Sequence, residues 1–305
     1  MQAAGLWGTV SVAMRSGFLD CYDAYLVDVD GVLVHDSEPI PGAAAALRRL
    51  AGASRFLLLT NNSTRSRAQH AGRLADLGFD VLPEQVLPSS YLAAAYLRET
   101  AGPTSVWPIG EAGLREELLA AGHRIADRPE NTAAVVVGMD RRITYDALAA
   151  AHRALRSGAR FLATNEDATF PVPGGLQPGA GAMVGALRGM GYAPDVVIGK
   201  PSPIAFRMAM HALDVPAERA VMIGDRLETD IVGAREAGLD TALVLSGIST
   251  LDEVDRLGIR PTWIAADLAS LVGADASVRR AGSGGSPSLD GPFHSSTISR
   301  NGVTP

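Results

Sequence analysis

The chain has 305 residues, 47% of them hydrophobic, and its formal net charge is −6 at pH 7. This length and apolar content predict about two domains with sizeable cores, whereas the acidic balance argues against a nucleic-acid-binding surface. The single cysteine, Cys21, excludes a disulfide within the chain and indicates a reducing, cytoplasmic environment. The sequence has no apolar run of about 18 residues, so no membrane span is predicted.

Strands and helices are predicted to alternate along the first third of the chain. Apolar runs predict buried strands at 25–30 and 55–59, and the segments between and after them predict helices at 42–50, 66–77 and 89–99. Residues 60–64 favour turns and helix caps, so the second strand leads through a polar turn into a helix. Repetition of this unit predicts a doubly wound, Rossmann-like parallel sheet within an α/β fold.

A second series of strands and helices fills the middle of the chain. Strands are predicted at 105–109, 133–138 and 161–163, and helices at 111–121, 145–156 and 181–190. These elements contain enough apolar residues for a separate small core. We therefore predict an α/β domain inserted at residues 101–192.

The C-terminal third is predicted to return to the first domain. Strands are predicted at 196–198, 220–223, 241–245 and 263–264, with helices at 201–213 and up to 237. The first domain then comprises residues 21–100 and 193–275. Residues 1–20 are expected to be a flexible extension, with Met14 as an alternative start, and the Gly-, Ser- and Pro-rich residues 276–305 to be a disordered tail.

Two carboxylates end the first predicted strand. Asp28 and Asp30 follow an apolar run, and buried charges without partners are costly, so these acids require a specific partner. Gly31 allows a sharp turn there and brings backbone N–H groups close to whatever the two acids face. An acid pair followed by glycine favours a site for a metal and for a phosphoryl or acyl group.

Other polar residues follow two further predicted strands. Thr60 and Asn61 end the second strand, and Asp225 with Asp230 follows a later one. The carboxyl ends of parallel strands meet at one edge of a sheet, so the acids should converge there. Two like charges about 4 Å apart repel by about 4 kcal/mol at an effective dielectric constant of about 20, so a divalent cation is needed. Oxygen ligands without a histidine or cysteine pair indicate Mg²⁺ rather than Zn²⁺.

This set of residues suits phosphoryl transfer. Asp28 can form an aspartyl-phosphate, and Asp30 can protonate the leaving oxygen and then deprotonate water. The phosphate needs positive charge, which Mg²⁺, Lys200 and the N–H groups of Gly31 and of the turn at 60–62 can supply. Among the 27 basic residues Lys200 is the only lysine, which favours a task that needs a compact point charge.

Four short motifs resemble those of the haloacid dehalogenase superfamily, in the order that family has them. They are Asp28-Val29-Asp30-Gly31, Thr60-Asn61-Asn62-Ser63, Gly199-Lys200-Pro201 and Gly224-Asp225-Arg226-Leu227-Glu228-Thr229-Asp230. The insert resembles the C2-type cap of the NagD-like, class IIA phosphatases, with matching stretches at 163–167 and 178–182. The resemblance spans residues 23–272. Glu166 departs from it, because the cap motif commonly has proline there.

The resemblance implies a role for each matching residue. Asp28 would be the nucleophile and a metal ligand, and Asp30 the general acid and base with its backbone carbonyl on the metal. Metal binding would also involve Asp225 and Asp230, and phosphate binding Gly31, Thr60, Asn61, Asn62 and Lys200. In the cap, Asn165 and Asp167 are candidates for substrate specificity.

The resulting hypothesis is a Mg²⁺-dependent phosphatase acting on a small phosphorylated metabolite, with no nucleic-acid or membrane partner and with a cap that can support a homodimer. Glycerol phosphate, phosphoglycolate, nucleotides and sugar phosphates all remain open as substrates. One alternative is a non-catalytic, metabolite-binding regulator on the same fold. Another is a dehalogenase, which would need neither the second acid at Asp30 nor a metal. A phosphomutase usually has a smaller cap elsewhere in the chain.

Overall fold

Two mainly parallel sheets with helices packed on them form most of the described fold. It also has two short antiparallel hairpins, which pair Val34–His35 with Glu38–Pro39 and Thr169–Val172 with Gly175–Pro178. The computed structural model describes residues 17–35, 37–172, 174–273 and 279–280. Its strands, numbered in chain order, are β1 (Ala24–Val27), β2 (Val34–His35), β3 (Glu38–Pro39), β4 (Arg55–Thr60), β5 (Val86–Pro88), β6 (Ser105–Ile109), β7 (Arg124–Ile125), β8 (Ala134–Val137), β9 (Arg160–Ala163), β10 (Thr169–Val172), β11 (Gly175–Pro178), β12 (Val196–Val197), β13 (Ala220–Gly224), β14 (Asp240–Val244), β15 (Trp263–Ala265) and β16 (Arg279–Arg280).

The helices lie mostly between successive parallel strands. They are α1 (Ala43–Ala53), α2 (Arg67–Asp76), α3 (Ser89–Ala101), α4 (Ala112–Ala120), α5 (Tyr145–Arg156), α6 (Ala180–Arg188), α7 (Pro203–Leu213), α8 (Gly233–Glu236), α9 (Leu251–Leu257) and α10 (Leu268–Val272). A π-helical turn at Leu227–Val232 precedes α8, where the sequence predicted a regular α-helix. The predicted α/β class is confirmed.

The larger sheet has β1 near its centre. Its strand order is β16-β15-β14-β13-β1-β4-β5, and every pairing is parallel except that of β16. Side chains alternate along β1: Tyr25 and Val27 join a core with α1, α2 and α10, whereas Leu26 joins a core with α3 and α7. Helices therefore cover both faces, as the doubly wound prediction requires.

The smaller sheet is built from the middle of the chain. Its order is β12-β9-β8-β6-β7, with all pairings parallel, and α5 and α6 pack on one face. On its other face, Val106 and Val136 share a continuous apolar core with α3 and α4. Because β12 pairs with β9, we propose that the insertion extends to about residue 197 rather than to 192.

The chain ends differ in part from the predicted flexible segments. Residues 1–16, including Met14, lie outside the described residues, but Phe18 is buried and its ring centroid lies 5.5 Å from that of Trp263. Most of the predicted tail also lies outside them, whereas Arg279–Arg280 pairs antiparallel with β15. Within the described ranges, no helix has the length and apolarity needed to cross a membrane.

An ion pair between the partly exposed Arg67 and the buried Glu117 joins the start of α2 to α4 of the insertion. The backbone N–H of Arg67 donates to Glu117 Oε1 over 2.6 Å, and Arg67 Nε lies 3.5 Å from Glu117 Oε2. The Arg67 guanidinium also stacks 4.0 Å above the centre of the Tyr91 ring. This contact fixes α2 directly after the turn that the sequence assigns to phosphate binding.

Replacing Glu117 with alanine should therefore destabilise the protein. We expect Glu117→Ala to lower the free energy of unfolding by about 2 kcal/mol, because hydrogen bonds to buried charged groups contribute about 1.5–3 kcal/mol. The matched control is Glu116→Ala, since Glu116 is exposed and, within the described residues, its side chain accepts a single hydrogen bond, from Gln69. Urea titration of both variants measures the difference, and equal losses would contradict this role for Glu117.

Candidate active site

Three adjacent strands of the larger sheet bring the predicted site residues together. In the order β13-β1-β4, Val27 at the end of β1 is level with Ile223 on one side and Leu58 on the other. Asp28 directly follows β1, Thr60 ends β4, and Asp225 directly follows β13. Their side chains therefore lie at the carboxyl edge of the sheet, where parallel α/β sheets bind ligands.

Lys200 connects two of the acids. Its Nζ lies 2.8 Å from Asp28 Oδ1 and 2.7 Å from Asp230 Oδ1, and only 3% of the side chain is exposed. Burial alone would lower the pKa of Lys200, but the negative charges of Asp230 and Asp28 outweigh it and raise the pKa above its usual value. Lys200 is therefore positively charged and compensates part of the buried negative charge.

The acids outnumber this one lysine. Asp28, Asp225 and Asp230 each place a carboxylate oxygen within 4.8 Å of the others. Burial raises the pKa of Asp28 well above its usual range, and Asp230 and Asp225 add to the rise. Burial and the charge of Asp230 likewise raise the pKa of Asp225 to about 6. The cluster is thus short of positive charge.

The Asp225 carboxylate has the geometry expected of a cation ligand. Its Oδ2 accepts the Ile248 N–H over 2.8 Å, whereas its Oδ1 is buried and has no hydrogen-bond partner within the described residues. Gly31, with φ of +86°, and Gly247 pack so closely that a Cβ on either would overlap this carboxylate. An orphaned oxygen among other acidic oxygens fits Mg²⁺, which prefers oxygen ligands.

The two residues after Val29 differ in what they offer to a ligand. The Asp30 side chain is partly buried and faces the cavity, and burial raises the pKa of its carboxyl. The Gly31 N–H, expected to bind phosphate, instead donates to the carbonyl of Val34 over 2.7 Å. Gly31 contributes its positive φ and the space it leaves for Asp225 rather than a free donor.

The turn after β4 is held by its own side chains. Thr60 Oγ1 accepts the Asn62 N–H over 3.1 Å, which leaves the Thr60 hydroxyl proton for another acceptor. The Asn62 side chain accepts from both the N–H and the hydroxyl of Thr64, at 3.0 and 2.7 Å. Thr60 is therefore the side chain of this turn best placed to donate to a phosphate.

The Asn61 side chain is already engaged within the protein. Its Nδ2 donates to the Lys200 carbonyl over 2.9 Å and to the two oxygens of Asp167 over 3.2 and 3.1 Å. The Asn61 carbonyl accepts from Asn165 Nδ2 over 2.7 Å and from the Ser89 hydroxyl over 2.6 Å. The two cap residues predicted to select substrates thus contact the phosphate-site turn directly.

A cavity of about 130 Å³ lies between the two sheets at this edge. Of the predicted metal, phosphate and specificity residues, only Asp230 does not line it, because Asp230 is fully buried and pairs with Lys200. The lining includes Asp28, Asp30, Gly31, Thr60, Asn61, Asn62, Asn165, Asp167, Lys200 and Asp225, joined by Arg226. The Arg226 guanidinium forms no ion pair within the part of the chain that the structure describes.

Sequence reasoning missed two supports of the turn after β4. His70 is buried, and burial lowers its pKa to about 4, so its ring is neutral and Nε2 donates to the Asn62 carbonyl over 3.3 Å. Ser63 Oγ accepts the N–H of Met139, which belongs to the insertion, over 3.0 Å. His70 lies within α2, and nothing in the local sequence indicates its contact with Asn62. Met139 supports the turn through its backbone N–H, so its residue type gave no indication either.

Family models match two parts of the chain. Residues 25–124 match the model described as haloacid dehalogenase-like hydrolase, and residues 197–271 match the related HAD-hydrolase-like model. Together they include all four motifs at the carboxyl edge of the larger sheet. The unmatched segment between them contains β8 and β9 of the smaller sheet, the β10-β11 hairpin, α5 and α6.

Similar proteins agree with this assignment over most of their length. The dihydroxyacetone phosphatase of Corynebacterium glutamicum is 37% identical over 249 residues, which cover 81% of this chain and 90% of that protein. The glycerol phosphate phosphatase of Mycobacterium tuberculosis, solved with magnesium, has a TM-score of 0.77 at 38% identity, covering 84% of this chain and 78% of that one.

A third similar protein is NagD of Escherichia coli. Its structure has a TM-score of 0.75 at 35% identity, covering 81% of this chain and 97% of that one. The motifs, the fold and these similarities agree. The chain belongs to the haloacid dehalogenase-like hydrolases and, within them, to the NagD-like phosphatases.

Proposed function

We propose that this phosphatase uses Mg²⁺ and hydrolyses small phosphomonoesters through an aspartyl-phosphate formed on Asp28. One observation carries the proposal: a buried lysine lies between Asp28 and Asp230, beside an Asp225 oxygen that has no hydrogen-bond partner within the described residues. A purely structural cluster would satisfy that oxygen. A site that binds first a cation and then a phosphate dianion needs an oxygen that no protein group occupies.

Four acids would hold the metal. Asp28 and Asp225 offer side-chain oxygens, Asp30 its backbone carbonyl, and Asp230 either a direct contact or support through Lys200. When bound, Mg²⁺ supplies positive charge that offsets the acids and the phosphate oxygens. The relative from M. tuberculosis, whose structure contains magnesium, supports this choice of metal.

The proposed chemistry divides hydrolysis between two carboxylates. Asp28 attacks phosphorus, and the ester oxygen leaves with a proton from Asp30. Water then attacks the aspartyl-phosphate and gives its proton to Asp30, which releases inorganic phosphate and restores both groups. The raised pKa of Asp30 suits this exchange, because the protonated form persists closer to neutral pH.

Three side chains would contact the phosphate with a positive charge or a hydrogen-bond donor. Lys200 contacts Asp28 and is close to any phosphate that Asp28 attacks. Thr60 offers its hydroxyl, and Arg226 lines the cavity without an ion pair among the described residues. These groups would stabilise charge that develops on the oxygens during transfer.

The substrate would be a small ester rather than a macromolecule. A cavity of about 130 Å³ beneath the insertion favours a short leaving group. Relatives named for dihydroxyacetone phosphate and glycerol phosphate make three-carbon phosphates the first esters to test. A homodimer through the cap remains a prediction.

Removal of the metal or the nucleophile should abolish turnover. We expect p-nitrophenyl phosphate hydrolysis with Mg²⁺ to stop in EDTA and to return when Mg²⁺ is restored. Asp28→Asn should lose about 10⁴-fold or more in kcat, because the amide cannot attack phosphorus. The exposed Asp252→Asn variant is the control and should keep wild-type turnover. Equal rates for wild-type protein with Mg²⁺, wild-type protein with EDTA and Asp28→Asn would favour a non-catalytic regulator.

Lys200→Arg should lose about 100-fold in kcat although it keeps the charge. Nζ is held between two carboxylate oxygens at 2.8 and 2.7 Å in a site with 3% exposure, so the planar fork of arginine cannot take its place. The reverse exchange at an exposed position of α7, Arg207→Lys, is the matched control. Steady-state kinetics compare the two variants, and near-normal turnover in Lys200→Arg would refute this role.

A further inference from the structure

The segment after β9 crosses from the smaller sheet to the phosphate site. Asn165 is only 2% exposed, and its Nδ2 donates to the Asn61 carbonyl over 2.7 Å. Its Oδ1 accepts the Asp167 N–H over 3.1 Å, which fixes the turn that presents the Asp167 carboxylate. The Asn165 carboxamide is thus occupied on both sides by protein groups.

Asn61 transmits this contact to the catalytic lysine. A carboxamide N–H₂ has two hydrogens, and those of Asn61 reach the Asp167 carboxylate and the Lys200 carbonyl. The Gly199 N–H donates to the Thr164 carbonyl over 2.7 Å, so the segment also holds the residue before Lys200. Both turns that flank the phosphate site therefore depend on one short stretch of the insertion.

We propose that Asn165 and Asp167 are positioning residues that hold Asn61 and Lys200 in place, so that the cap supports phosphoryl transfer itself for every leaving group. This inference rests on the proposed phosphatase function. It differs from the sequence prediction, in which both residues select the substrate. Asn165, with 2% exposure and protein partners on both sides of its carboxamide, is poorly suited to discriminate between leaving groups. Asp167 is partly exposed, but both of its carboxylate oxygens accept from Asn61 Nδ2.

Small displacements of Lys200 are enough to disturb the site. Lys200 Nζ meets two carboxylates at 2.7–2.8 Å, so a shift of its backbone by about 1 Å would break at least one contact. Misplacement of that size costs about 100-fold in rate when groups must be aligned for reaction. The hydrogen bonds from Asn61 to the Asp167 carboxylate are charge-assisted, which makes them strong enough to fix the carboxamide.

The test compares variants of one segment on two leaving groups. Asn165→Asp keeps the shape of the side chain but removes the donor, and Asp167→Ala removes the acceptor. Asp167→Asn keeps one acceptor oxygen and should rescue most of the activity. Glu166→Gln is the control, because the Glu166 side chain is exposed and, among the described residues, pairs only with Arg188.

Steady-state kinetics with p-nitrophenyl phosphate and glycerol phosphate give the readout. We expect Asn165→Asp and Asp167→Ala to lower kcat by about 10- to 100-fold on both esters, with the ratio of the two kcat/KM values unchanged within about twofold. A changed ratio would assign these residues to substrate selection, and wild-type kinetics would show that they do no positioning. Either result would overturn the proposal.

A crystal structure of Asn165→Asp provides a readout that does not depend on turnover. The proposal predicts displaced Asn61 and Lys200 backbones, and an unchanged site would overturn it. If the wild-type protein hydrolyses neither ester, the proposed function fails, whereas this structure still decides the positioning role. Because Asn165→Asp is nearly isosteric, it also serves if Asp167→Ala does not fold.

Discussion

The site depends on one buried contact, in which a lysine lies between two aspartates at the carboxyl edge of a parallel sheet. Burying Asp28, Asp225 and Asp230 together is unfavourable, and Lys200 compensates only part of their charge. The remaining excess of negative charge favours a bound cation, and on the proposed function the cation would in turn offset the charge of a phosphate. Burial, with a further contribution from the neighbouring carboxylates, raises the pKa of Asp28 and of Asp225. The buried carboxylates therefore destabilise the site itself, and the packing of the surrounding doubly wound sheet has to offset this cost.

The insertion takes part in this arrangement rather than only covering it. Its segment at Asn165 and Asp167 contacts Asn61, the backbone of Met139 donates to Ser63, and Glu117 binds the first turn of α2. All three contacts reach the turn after β4 or the helix that follows it. The apolar core shared by α3 and α4 connects the two sheets behind these polar contacts. The position of the cap and the shape of the proposed phosphate site are therefore linked.

Much of this could be predicted from the sequence because the signals are local. Apolar runs located β1, β4 and β13, and the acids that follow these strands meet because parallel strands end at one edge. Partners across the fold could not be predicted. The Gly31 N–H donates to the Val34 carbonyl, and the Asn61 side chain donates to Asp167 and to the Lys200 carbonyl, so donors that the motifs predict for phosphate are engaged within the protein. The β10–β11 hairpin and the π-helical turn were missed, since tertiary contacts outweigh their weak local patterns.

Chemical trapping of phosphorylated Asp28 tests the central claim most directly. Protein mixed with p-nitrophenyl phosphate and Mg²⁺ is quenched in acid and reduced with borohydride, which converts an aspartyl-phosphate to homoserine. Mass spectrometry of the peptide that contains residue 28 then locates the change. If Asp28 is the nucleophile, homoserine forms at position 28 only when substrate is present, and none forms at positions 30, 225 or 230. Sustained phosphate release without homoserine at position 28 would contradict this role for Asp28.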